Sequence, residues 1–241
     1  MASLRFSFGT MGSGKSTVAL QIHHNLSNRE LYGLLLTTLD REGRQVTSRL
    51  GVAAPAIEVT PDLDLHALAV RYWPIHYMIC DEAQFYTPAQ CDQLARVVDE
   101  LDVEVYAFGL LTDFRGRLFD GTARMLEIAD QHTPLQVEAR CLCGARATHI
   151  ARVVYGVVVY EGDTVMVGDT NPNESPLFGD TVRYELLCRA HFLRADLGTT
   201  FLGVGVEREL EHTCRTTVVQ SRWQSVLGES GFSRRIQEAT I

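Results

Sequence analysis

The sequence predicts an α/β fold in which a parallel sheet flanked by helices is followed by a small loop-built module. Three observations predict it. Through the first half, short β-branched or aromatic runs alternate with amphipathic segments, as strands do when crossover helices join them. A phosphate-binding pattern, Gly9-Thr-Met-Gly-Ser-Gly14-Lys15-Ser16-Thr17, sits where the first run meets the first helical segment. After Gln131 the composition turns to valine, glycine and turn residues, and Cys141, Cys143, Cys188 and His191 offer metal-ligating side chains.

The elements read in order as follows. Leu4 to Phe8, Tyr32 to Thr38, His76 to Cys80 and Val103 to Gly109 are the expected strands. Between them, Ser16 to Leu26, Asp64 to Trp73 and Pro88 to Leu101 carry apolar residues at helical spacing. Thr87-Pro88 supplies a cap and a first-turn proline for the last of these. In the second half, Val153 to Tyr160 and Thr164 to Val167 read as short strands and Asp169 to Asp180 as a loop. Beyond Ala195 no motif attaches to chemistry; Phe201 to Val206 reads as an edge strand and Arg215 to Leu227 as a strand or helix.

A chain of 241 residues can bury one sizeable core with a small module added to it. The net charge of -8 disfavours a broad nucleic-acid surface, while a small anionic substrate remains compatible. Met1-Ala-Ser-Leu-Arg-Phe6 has no charged region leading into an apolar stretch, and no window approaches the roughly 18 apolar residues of a membrane span. The expectation is a cytoplasmic protein that engages neither membrane nor nucleic acid. Cysteines there stay reduced, so paired spacing points to metal before disulfide. Cys80, Cys91 and Cys214 stand alone and read as small apolar residues.

The glycine-rich segment satisfies G-x-x-x-x-G-K-[ST] with a strand before it and a helix after it, the context the motif needs. Its backbone N–H groups turn inward around phosphates, Lys15 places a charge near the β and γ oxygens, and Ser16 offers a hydroxyl to Mg²⁺. A nucleotide is therefore expected on Gly9, Thr10, Met11, Gly12, Ser13, Gly14, Lys15, Ser16 and Thr17. A second acidic partner is needed for the metal, and the strand His76 to Cys80 ends in Asp81-Glu82. Asp81 faces Mg²⁺ beside Ser16, Gln84 adjoins the nucleotide, and Glu82 is placed to take a proton from the attacking nucleophile.

Phe85 follows the acidic pair, and Phe114 and Phe119 follow the strand Val103 to Gly109, at strand ends where open α/β sheets hold ligands. Three aromatic residues beside a phosphate site suit a flat base. With these strings in place the sequence resembles the type II thymidine kinases, the bacterial ones above all. The likeness rests on the phosphate loop, on Leu39-Asp40-Arg41-Glu42-Gly43 continuing to Ser48-Arg49-Leu50-Gly51, on Asp81-Glu82-Ala83-Gln84-Phe85, and on Gly109-Leu-Leu-Thr-Asp-Phe-Arg-Gly-Arg-Leu-Phe119. It spans about residues 4 to 194.

The resemblance implies a P-loop NTPase-like parallel sheet flanked by helices, with a small zinc-stabilised lasso subdomain. It divides the chain into a kinase domain over 1–140, a zinc-binding lasso over 141–194 and a C-terminal extension over 195–241. It implies transfer of the γ-phosphoryl of ATP to the 5′-hydroxyl of thymidine, in pyrimidine deoxynucleoside salvage. By the same likeness Glu82 is the general base and Arg41 the arginine near the transferring phosphate. Phe85, Phe114 and Phe119 wall the thymine with Met11 near the base, and Val165, Val167, Gly168 and Tyr184 hold the nucleoside from the lasso. Leu111 stands where the family often has a polar residue, and Ile150 or Thr148 where some members have a base-contacting threonine. Thymidine is the expected acceptor with deoxyuridine as the alternative, and these departures bear on the selectivity between the two. A homotetramer and feedback inhibition by thymidine triphosphate are implied as well.

Cys141, Cys143, Cys188 and His191 are ligand types that close a tetrahedral zinc site, which is structural because no position stays open. The first pair is one residue shorter than the common C-x-x-C, and the likeness strengthens the zinc reading. Two other functions fit parts of the chain. Asp81-Glu82-Ala83-Gln84 also resembles a helicase box, so the alternative is a nucleic-acid-dependent ATPase with a structural zinc module, although such an enzyme needs a second lobe for which the chain has no room. The other is a nucleotide-sensing module that binds ATP without turnover.

Overall fold

Leu4 and Phe6 bury themselves completely on one side of β1 (Leu4–Gly9), and the remaining elements are laid out from this strand. The computed structural model describes residues 1–38, 45–162 and 182–197. In chain order, β1 is followed by α1 (Lys15–Ser27), β2 (Gly33–Thr37), β3 (Gln45–Thr47), β4 (Ala53–Pro55), β5 (Ile57–Glu58) and α2 (Leu65–Arg71). Then come β6 (Tyr77–Cys80), a 3₁₀ turn at Ala83–Phe85, α3 (Pro88–Leu101), β7 (Glu104–Leu110), α4 (Asp120–Ile128) and β8 (Gln131–Pro134). The last described elements are β9 (His149–Val154), β10 (Val157–Val159), β11 (Val182–Leu187) and α5 (Arg189–Leu193).

Six of these strands form one sheet in the order β5-β2-β6-β7-β1-β8, with every pairing parallel. Both faces are covered, as a parallel sheet requires. Period-2 alternation divides the strands between two cores. Tyr77 and Ile79 of β6 pack with Ala19 and Leu20 of α1, while Met78 and Cys80 turn to the other side with Leu94 and Val97 of α3. Cys80 and Cys91 are buried there as small apolar residues, and Cys214 lies outside the described residues. The order places β7 between β1 and β6, so the phosphate loop after β1, the acidic pair after β6 and the segment after β7 emerge at the same, carboxyl-terminal end of the sheet.

Local signals set the helix starts. Thr87 Oγ1 accepts from Gln90 N while Gln90 Oε1 accepts from Thr87 N, a reciprocal cap with Pro88 in the first turn. The four strands and three helices expected in the first half are present within a few residues of their expected bounds. The structure adds α4, β5, β8 and the β3–β4 hairpin. β8 escapes a pattern reading because all four residues of its Gln-His-Thr-Pro run are exposed on the sheet edge, so it has no buried face to alternate with. α4 packs so closely on the 3₁₀ turn that a Cβ at Gly121 would lie 2.6 Å from the Tyr86 carbonyl oxygen and 2.7 Å from that of Ala83.

The second half is corrected more. Val153 to Tyr160 is not one strand but the end of β9 and all of β10, joined at Tyr155 and Gly156, whose φ of 48° and 81° suit a tight hairpin turn. The module is built on an antiparallel sheet, β10-β9-β11, rather than on loops. One face packs Ala151, Val153 and Leu187 with Cys141 and Phe192. The other carries Ile150, Arg152 and Tyr184, with Tyr184 directly opposite Arg152. The expected strand Thr164 to Val167, the loop Asp169 to Asp180 and the readings beyond Ala195 at Phe201 to Val206 and Arg215 to Leu227 lie outside the described residues. No described helix is long and apolar enough to cross a membrane.

Candidate active site

The turn from β1 into α1 is made by Gly14, whose φ of 83° puts it in the left-handed region before Lys15 opens the helix. Lys15 is buried, and its Nζ donates to the Thr10 carbonyl at 2.8 Å. Burial pushes its pKa down most, and Arg49 adds to that, while Glu82 and Asp81 push it up. The hydroxyls of Thr10, Ser13 and Thr38 are buried with no hydrogen-bond partner among the described residues. Buried hydroxyls are normally satisfied, so this concentration beside a lysine and a helix N-terminus fits a chain of phosphates.

Asp81 leaves β6 almost fully buried, and its pKa is raised to about 6. Burial is the main cause and the neighbouring Glu82 carboxylate the next; the Ser16 hydroxyl, the Glu82 N–H and Lys15 pull the other way. A carboxylate meeting a hydroxyl at the edge of a phosphate loop is the donor set a divalent cation takes, so the residues fit Mg²⁺. Glu82 adopts φ 55° and ψ 32°, a left-handed conformation that costs a non-glycine residue about 1–2 kcal/mol. The twist turns its carboxylate toward Gln84, whose Nε2 donates to Glu82 Oε2 at 2.6 Å. The Leu110 N–H donates to Gln84 Oε1 at 3.0 Å, which fixes the amide with its nitrogen facing the glutamate. Gln84, expected beside the nucleotide, spans from β7 to Glu82.

Phe85 and Phe119 meet edge to face with ring centres 5.5 Å apart. The segment between β7 and α4 is held by buried Asp113, which accepts from the N–H groups of Arg115 and Arg117 and from Arg115 Nε. That ordering carries Phe114 inward to 2% exposure. A cavity of about 670 Å³ is lined at one part by Met11 to Thr17, Asp81 and Glu82, and at another by Phe85, Phe114, Phe119, Ile150 and Tyr184. Gly9 and Thr10 do not line it; Gly9 backs the loop, where a Cβ would lie 2.4 Å from the Leu135 carbonyl oxygen. Of the positions where the family places a threonine, Ile150 lines the cavity and Thr148 is exposed. Leu111 is not part of the lining. Arg41, Val165, Val167 and Gly168 lie outside the described residues.

Cys141, Cys143, Cys188 and His191 bring their ligand atoms within 4.8 Å of one another. Cys143 Sγ is 3.9 Å from Cys188 Sγ, and His191 Nδ1 is 3.1 Å from Cys141 Sγ and 3.6 Å from Cys188 Sγ. The edges of a tetrahedron with Zn–S near 2.3 Å and Zn–N near 2.0 Å are about 3.5 to 3.8 Å, so the set fits zinc with little movement. His191 Nε2 faces Asp196 at 3.8 Å, a carboxylate of the kind that orients zinc-binding imidazoles.

Several residues of the site were not singled out from the sequence. Arg49, within a quoted string but with no role attached, lines the cavity beside the phosphate loop. Thr38 follows the end of β2 and has no motif around it. Arg152 had a readable signal: it is the one cation in His149-Ile-Ala-Arg-Val-Val154, at the same strand parity as Ile150. Similarity to known proteins follows the same outline. Residues 2–192 match the family described as Thymidine kinase. The chain is 52% identical over 199 residues to the thymidine kinase of Streptomyces avermitilis, covering 80% of this chain and 90% of that protein. It is 53% identical over 199 residues to that of Streptomyces coelicolor, with the same shares, and 48% identical over 196 residues to that of Cutibacterium acnes, covering 79% and 88%. The chain belongs to the thymidine kinase family.

Proposed function

We propose that the protein transfers the γ-phosphoryl group of ATP to the 5′-hydroxyl of thymidine, with deoxyuridine as a second acceptor, giving the nucleoside monophosphate and ADP. The observation that carries this reading is that a phosphate loop and an aromatic-walled pocket open into one cavity lined by Glu82. A pocket for a base beside the loop supports a nucleoside acceptor over water.

In this reading Glu82 accepts the proton of the 5′-hydroxyl as its oxygen bonds to the γ-phosphorus. The bond from that phosphorus to the bridging oxygen breaks, and its electron pair leaves with ADP. Lys15 and the N–H groups of the loop from Met11 to Ser16 balance charge on the phosphate oxygens, and Arg41 adds a cation to the transferring group. Ser16 and Asp81 hold Mg²⁺, which neutralises phosphate charge when bound. Phe85, Phe114, Phe119 and Tyr184 enclose the base, with Met11 at its edge and Val165, Val167 and Gly168 covering it. Cys141, Cys143, Cys188 and His191 hold a structural zinc ion. The free state of Cys141, Cys143 and Cys188 accords with a reducing, cytoplasmic setting. The homotetramer and inhibition by thymidine triphosphate rest on the family likeness.

The test is a product assay with ATP radiolabelled in the γ position, Mg²⁺ and thymidine. Label in thymidine monophosphate is expected. DNA-stimulated release of free phosphate without labelled nucleotide would favour the ATPase, and binding without turnover the sensor.

Gln84 is the hinge of the proposed general base. Replacing it with alanine frees the Glu82 carboxylate and strands the Leu110 N–H. Loss of one hydrogen bond to a charged group, about 1.5–3 kcal/mol, corresponds to a fall in kcat of about tenfold to hundredfold. The KM for ATP should move less than about threefold, because the phosphate loop is untouched; steady-state kinetics of Gln84→Ala checks both. An unchanged kcat would remove Gln84 from the catalytic arrangement.

A further inference from the structure

A positive charge is folded into the wall of the nucleoside pocket without reaching the cavity. Arg152 is 2% exposed, and its guanidinium carbon lies 3.6 Å from the centre of the Phe114 ring, in stacking contact. Its Nη2 and Nε donate to the Tyr184 hydroxyl, at 3.2 and 3.4 Å. Arg152 and Tyr184 are directly opposed in the β9–β11 pairing, whereas Phe114 comes from the segment after β7. One guanidinium therefore joins an aromatic cavity wall on the antiparallel sheet to one on the segment that follows β7 of the parallel sheet. The fit is close: a Cβ on Gly162 would stand 3.2 Å from Arg152 Nη1.

Burying a cation is costly, and a buried arginine persists where stacking and hydrogen bonds use its plane and its fork together. Ile150, on the same face of the strand, is buried and apolar, so packing alone gives no reason for a charge there. We infer that Arg152 is a positioning residue of the nucleoside site: it locks the Phe114 ring and the Tyr184 side chain in one arrangement, so that the antiparallel sheet and the kinase sheet present a single preformed slot to the base. The inference rests on the proposed nucleoside kinase activity and adds to it the residue that sets acceptor affinity from behind the pocket.

The test compares wild type with Arg152→Met, Arg152→Lys and Tyr184→Phe, in each case after zinc content is measured. Arg152→Met should raise the thymidine KM about tenfold to hundredfold, since a desolvated stack and a bond to Tyr184 are both lost. Its KM for ATP should stay within about threefold of wild type. Arg152→Lys keeps the charge but not the planar fork, so it should recover only part of the loss. Tyr184→Phe removes one acceptor and should raise the thymidine KM about twofold to tenfold. Combined with Arg152→Met, its effect should be less than additive, because the two act as a unit. Should Arg152→Met lose zinc, the lysine and phenylalanine variants carry the same comparison. A thymidine KM unmoved in zinc-replete Arg152→Met, or an ATP KM rising in step with it, overturns the inference. Absence of thymidine phosphorylation by wild type would instead sink the kinase reading, so the two failures are distinct.

Discussion

Replacing Glu82 with glutamine is expected to lower kcat by about 10² to 10⁴ fold, the usual range for loss of a general base, while ATP binds as before. The substitution keeps the side chain's length and shape and removes its ability to take a proton. Glu82 contributes to the field on Lys15, but Asp81 also raises the Lys15 pKa and remains, so the lysine keeps a carboxylate partner. The Gln84 Nε2 donor still finds an oxygen on the new amide, and Gln84 Oε1 still accepts from Leu110. The left-handed backbone at Glu82 is left in place, since glutamine meets the same steric cost there. Stability and nucleotide affinity are therefore insulated from the change, and the loss falls on the chemical step. Single-turnover phosphoryl transfer with ATP binding measured by calorimetry separates the two. Unchanged turnover would falsify the base assignment.

The contrast between Glu82 and Gln84 shows which parts of the site were legible in the sequence. Asp81 and Glu82 are readable because a parallel strand that ends in acids beside a phosphate loop has a chemical reason to do so. The loop after β1 is readable for the same reason, since its glycines and Lys15 follow one local sequence pattern. Thr87-Pro88 and Gln90 announce α3 because capping is local in sequence. Gln84 is different: its orientation is set by the Leu110 N–H, 26 residues away in sequence, and no local pattern reports a contact made through the β6–β7 pairing. Arg152 and Phe114 likewise meet only once two separate sheets are in place. α4 and β8 escaped for another reason: of the three residues α4 buries, Gly121 and Thr122 carry no apolar signal, and all four residues of β8 are exposed, so pattern reasoning has little to count.

Zinc removal is the second large expected effect, because the proposed metal site and the proposed nucleoside pocket share one small sheet. Ala151, Val153 and Leu187 pack against Cys141 and Phe192 on one face, while Ile150 and Tyr184 line the cavity from the other. Residues of β9 alternate between the two faces, so disorder on the metal side reaches the pocket through the strand itself. A structural zinc ion supplies about 10–16 kcal/mol of folding free energy in small domains, comparable to the whole stability of an ordinary one, and this sheet has a buried cluster of few side chains to replace it. The parallel sheet has two cores of its own and keeps the phosphate loop in place without the metal. Cys188→Ser is therefore expected to lose zinc and to raise the thymidine KM at least about tenfold, with the ATP KM within about threefold. Metal analysis by mass spectrometry alongside two-substrate kinetics measures all three quantities. A zinc-free variant with an ordinary thymidine KM would separate the metal from the nucleoside site, and the sheet would then be a scaffold for something other than the base.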